Sequence, residues 1–109
     1  MENKQRFIRI VAQAAIAAST KLELDLDNIR SQFDNDLNTL TLTNTDVASA
    51  INVYLDGKKV AYVTANNGVF SFDWEFGLMY NFISIENTNA GAAIAAEKVK
   101  VFVGRSGGK

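Results

Sequence analysis

The stretch IRIVAQAAIAASTKLELDLD, residues 8–27, decides the fold class, because it fits two mutually exclusive templates. Its alanines favour a helix, while its last third alternates as a strand does. Even positions run Ile8, Ile10, Ala12, Ala14, Ile16, Ala18, Thr20, Leu22, Leu24 and Leu26, and every charge falls on an odd position. A helix would bring Ile8, Val11, Ala15, Ala18, Leu22 and Leu26 together, but it would scatter Ile10, Ile16 and Leu24 among the charges. The period of two fits better. One strand of that length is unusual, so the pattern predicts two, Arg6–Ala17 and Lys21–Asp27, turned at Ala18-Ser19-Thr20.

Working outward, residues 29–38 hold turn formers and no sustained period, which reads as a loop with room for one helical turn. TLTLT (Thr39–Thr43) alternates again, and NTDVAS turns the chain. In INVYLDGKKVAYV, Asp56-Gly57 is a favoured type I′ pair. A two-residue loop there sets Leu55 opposite Lys58, Val53 opposite Val60 and Ile51 opposite Tyr62. Asn66-Asn67-Gly68 marks another turn, leading to Phe70, Phe72, Trp74 and Phe76 on one strand face. MYNFISIEN forms a strand with Ile83 and Ile85 on one face and Tyr80 and Phe82 on the other. TNAGAAIAA is a small-residue connection, and EKVKVFVG places Val99, Val101 and Val103 inward. Seven or eight short strands with no long helix predict an all-β antiparallel sandwich of jelly-roll or Greek-key type, with a small barrel as the alternative. Residues 1–104 are read as one domain and 105–109 as a flexible basic tail.

Composition removes several chemistries. The chain has no Cys, His or Pro, which excludes disulfides, thiolate or imidazole metal sites and Cys or His catalysis. A net charge of −1 gives no global pull toward nucleic acid. Acidic residues crowd Glu23–Asp46 and basic ones the two ends, a polarity suited to head-to-tail contact between copies as well as to plain solvation. No apolar run reaches membrane-spanning length. Arg9 and Gln13 interrupt the only segment resembling a secretion signal, so none is expected.

Candidate sites are few. Asp73 and Glu75 form the best carboxylate pair, but they neighbour each other on one strand face instead of flanking a cleft. Asp34, Asp36 and Asn38 have the spacing that opens a calcium loop, yet Thr39 and Thr45 stand where its glycine and glutamate belong. No resident metal or cofactor is therefore expected. Tyr54, Tyr62, Trp74 and Tyr80 are the aromatics available for a glycan platform, which makes a carbohydrate-binding module the alternative function. The first strand is small on both faces: Ile8, Ile10, Val11, Gln13, Ala15 and Ala17 are the residues expected to meet another subunit.

The Asn-, Thr- and Ala-rich β pattern, closing on YNFISIEN and VKVFVG, resembles small structural proteins of bacteriophage virions. That resemblance implies a single β-sandwich acting as a homo-oligomer, in a capsid, decoration, spike-base or tail role. It implies a virion location, other virion proteins as partners and no enzymatic activity. It assigns no residue a function.

Overall fold

Among the described residues, eight strands make two four-stranded antiparallel sheets. The computed structural model describes residues 8–13, 15–30, 39–73 and 80–104, with backbone alone for 8–12 and 30. The strands are β1 (Ile8–Gln13), β2 (Lys21–Asp25), β3 (Thr39–Asn44), β4 (Ile51–Leu55), β5 (Lys58–Val63), β6 (Gly68–Asp73), β7 (Phe82–Asn87) and β8 (Val99–Gly104). One helical turn, α1 (Leu26–Arg30), follows β2. The sheets run β1-β8-β3-β6 and β2-β7-β4-β5. Strands therefore pair as first with last, second with next-to-last, and so on inward, as in one long hairpin rolled into two layers. This is the jelly-roll-like order of an eight-stranded sandwich.

The period of two explains the layers. Leu40 and Leu42 of β3 and Val99, Val101 and Val103 of β8 face Ile51, Val53 and Leu55 of β4 and Ile83 and Ile85 of β7, all buried. Leu26 and Ile29 of α1 and the bridged pair Ile16 and Ile94 extend the same core. Phe70 and Phe72 pack partly against it from β6, so the described half of the aromatic stripe is core.

Three local expectations need correction. First, β2 ends at Asp25, two residues early, because its carboxylate accepts the Asp27 and Asn28 N–H groups (3.0 and 3.3 Å) and caps α1. Leu26 stays buried, but as the first residue of a helix.

Second, β1 is not one unbroken alternation. Ile10 pairs with Phe102 and Ala12 with Val101, so Val11 is a bulge that shifts the register by one. From Gln13 onward the parity holds, with Gln13, Ala15 and Ala17 exposed and Ile16 buried. Regular β1 also stops at Gln13, short of Ala17.

Third, the β4–β5 hairpin has its type I′ turn, with φ of 50° at Asp56 and 85° at Gly57, and Leu55 opposes Lys58. A bulge at Val60 then moves the register: Val53 opposes Ala61, Asn52 opposes Tyr62 and Ile51 opposes Val63. Val63 takes the buried place expected of Tyr62, leaving Tyr62 60% exposed on the outer face.

Candidate functional site

Antiparallel order gathers four loops at one end of the sandwich: those after β1, β3, β5 and β7. Two of them begin alike, as Asn44-Thr45-Asp46 and Asn87-Thr88-Asn89, and the hydrogen bonds repeat with the sequence. Each first Asn closes its strand and is fully buried. Asn44 Nδ2 donates to the Ser49 carbonyl (2.8 Å) and, across the loop end, to that of Thr64 (3.3 Å). Asn87 Nδ2 donates to the carbonyls of Ala92 (2.9 Å) and Ile16 (3.1 Å). Both Oδ1 atoms accept the N–H two residues on, from Asp46 (3.1 Å) and Asn89 (2.9 Å). The third residue repeats the device: Asp46 Oδ2 accepts from Ala48 and Ser49, and Asn89 Oδ1 from Gly91 and Ala92. Each Thr uses N–H and hydroxyl on one carbonyl, Thr45 on Lys98 and Thr88 on Ala50. Buried amides satisfied on both sides fix backbone that the sheets do not reach.

Further bonds knit the loops to one another. Asn66 and Asn67 N–H groups reach the Asp46 and Asn44 carbonyls (2.7 and 2.8 Å), Asn89 Nδ2 reaches Ser49 Oγ (2.9 Å), and Ile16 and Ile94 exchange two backbone bonds. Outward, this scaffold presents small apolar side chains beside short polar ones such as Ser19, Asn66, Asn67 and Thr88. Ala15, Ala17, Ala48 and residues 90–93 are exposed, and Val47 is 77% exposed. Residues 15–19, 47–49, 65–67 and 88–95 include no charged side chain. The two alanine-rich stretches seen in the sequence thus lie side by side through the Ile16–Ile94 bridge.

The predicted subunit-contact residues divide between this end and a sheet edge. Ile8, Ile10 and Val11 lie in β1, which is the outermost strand of its sheet and pairs with β8. Gln13, Ala15 and Ala17 continue from β1 into the loop end. Asp34, Asp36 and Asn38 lie outside the described residues, as do Trp74 and Glu75. Among the described residues no cluster of three or more metal-ligating side chains occurs. No described helix is long and apolar enough to cross a membrane.

The aromatic platform is redistributed. Tyr80 packs partly against the core, whereas Tyr54 and Tyr62 share the outer face of β2-β7-β4-β5. The Tyr54 hydroxyl donates to Glu86 Oε1 (2.6 Å), and Asn52 Nδ2 donates to the same oxygen (3.1 Å). These donors, helped by Lys21 and Lys59, hold the Glu86 carboxyl below the usual glutamate value. The bond to that carboxylate, with some burial, pushes the Tyr54 phenol above the usual tyrosine value.

The sign of each pH effect follows from the form the fold prefers. Ionised Glu86 contributes fully above the unfolded glutamate value, and the contribution is lost as pH falls through the lowered folded one. Protonated Tyr54 contributes fully below the unfolded tyrosine value, and the contribution is lost as pH rises through the raised folded one. Glu86→Gln is expected to flatten the acid limb of the stability–pH curve. It should also return one late-ionising tyrosine toward ordinary behaviour in an ultraviolet absorbance titration. A titration unchanged by the substitution would show that the pair is not formed in solution.

This arrangement, an antiparallel sandwich with a clamped loop end, defines the class. No family model and no curated protein matches the sequence. Among solved structures, the Tobacco streak virus coat protein, determined as a dimer, shares the fold at a TM-score of 0.52 and 9% identity, over 94% of this chain and 85% of that one. Tandem CBM51 modules of a family 98 glycoside hydrolase from Streptococcus pneumoniae align at a TM-score of 0.49 and 13% identity, over 84% of this chain and 31% of that one. The infectious bursal disease virus Gt strain structure aligns at 0.26 and 12%, over 93% and 30%. The chain is thus a β-sandwich whose fold a viral coat protein shares.

Proposed function

We propose that the chain is a non-enzymatic structural module of a virion, of the bacteriophage kind that its sequence style resembles, working through contacts with copies of itself and with other coat components. The carrying observation is a patch of the loop end, residues 15–19, 47–49 and 88–95: exposed small side chains, many of them alanine, no charge within these stretches, and a backbone fixed in advance by Asn44 and Asn87. Such a surface loses little entropy on docking, and identical copies meet there without like-charge repulsion. The fold shared with a coat protein over most of both chains supports the same reading. The bulge at Val11 refines it, because a bulged edge strand is a poor template for adding another strand. Contact then runs through the faces of Gln13, Ala15 and Ala17 and the neighbouring loop.

Sedimentation velocity of an Ala15→Glu/Ala92→Glu variant tests this surface. Both side chains are exposed, so folding should persist, while two buried like charges per contact weaken association at least about 100-fold. Association equal to that of the unaltered chain would rule this surface out.

A further inference from the structure

The outer face of β2-β7-β4-β5 carries groups that assembly through the loop end does not use. One row crosses all four strands in direct register: Lys21, Glu86, Asn52 and Tyr62. It spans about 14 Å, three strand spacings. The Tyr54 ring beside this row is already taken, with the Lys21 ammonium 4.0 Å from its centre. Tyr62 is more open: it is 60% exposed, and Lys59 stands back at 5.8 Å.

Two acceptors in the row are unspent. Glu86 takes both its hydrogen bonds through Oε1, leaving Oε2 without one among the described residues. Asn52 Oδ1 is shut from solvent and has no partner, while Nδ2 of the same amide is committed to Glu86. An exposed aromatic ring in one row with the open Glu86 Oε2 suits a ligand with an apolar ring face and a rim of hydroxyls.

We propose that this face binds a sugar ring. The ring stacks on Tyr62, and its hydroxyls donate to Glu86 Oε2. Lys59 at the margin also accommodates the carboxylate of an acidic sugar.

The test is an array of neutral, N-acetylated and acidic oligosaccharides probed with the full chain. The best responder is then titrated while backbone amide shifts are followed by NMR. Saturable shifts centred on Asn52, Lys59, Tyr62 and Glu86 are expected, weakened about 10-fold in Tyr62→Ala and kept in Tyr62→Phe. Tyr62 is exposed, so its loss does not threaten the fold, and thermal unfolding of each variant verifies that. No binding in any arm overturns the proposal, as does binding that Tyr62→Ala leaves unchanged. Tyr62 sits one residue from the end of β5 and so borders the loop end; solution mass of the same variant is therefore measured alongside, and sugar binding weakened at unchanged mass separates the result from assembly.

Discussion

Asn87→Ala is expected to cost about 3 kcal/mol, roughly 15 °C in melting temperature for a domain of this size. The amide is fully buried and donates to three carbonyls, those of Ile16, Ala92 and, more loosely, Ala17 (3.4 Å), while accepting from Asn89. Alanine removes every one of these bonds; the Ile16 and Ala17 carbonyls keep bonds from Ile94 and Thr20, but the Ala92 carbonyl and the Asn89 N–H lose the side chain that held them. The damage is also directional: the loops after β1 and β7 lose their shared anchor, so amide exchange should rise first at Ile16, Asn89 and Ile94. Asn66→Gly supplies the contrast, because Asn66 is exposed at a φ of 63° that glycine adopts freely, and little change is expected. Urea unfolding of the two variants side by side checks the claim. Equal stability of Asn87→Ala and the unaltered chain would mean the clamp is not a clamp.

Gly68→Ala should cost about 2–3 kcal/mol by a different route. A Cβ at Gly68 would sit 2.2 Å from the Thr64 carbonyl oxygen and 2.8 Å from both its nitrogen and Val63 Cγ1. The first two are backbone atoms, so the turn itself must move. That turn carries the carbonyl that Asn44 Nδ2 reaches, and the Asn66 and Asn67 N–H groups that tie it to the loop after β3. A single methyl group thus loosens a second strut of the same end. Gly91→Ala is the control, since its Cβ meets only Asn89 Oδ1 at 3.7 Å, an ordinary contact. Thermal unfolding should separate the two by ten degrees or so.

Much of the layer structure was legible because period two is a local signal. Thr39–Asn44 and Val99–Gly104 alternate as their burial does, and Asp56-Gly57 announces its own turn. Strand order was not legible. Every connection except the β4–β5 hairpin crosses between sheets, so partners far apart in sequence carry no adjacent cue.

Bulges were hidden for a related reason. Val60 and Tyr62 look as apolar as Ala61 and Val63, and only tertiary packing chooses which pair turns inward. That choice places Tyr62 beside Asn52, so the tyrosine face emerged only with the register.

The loop clamp had a signal that reading by residue type passed over. Asparagines next to turns are ordinarily explained by their tolerance of positive φ, which holds for Asn66 and Asn67 (63° and 78°). Asn44 and Asn87 do something else. The repeated Asn-Thr-Asx at two strand ends was the available clue.

The surface proposed for assembly makes one quantity decisive: the solution mass of the full chain, by light scattering over a wide concentration range. The account predicts a multiple of 11.9 kDa that falls toward the single-chain value in the Ala15→Glu/Ala92→Glu variant. A mass of 11.9 kDa at every concentration, up to about millimolar, would contradict it.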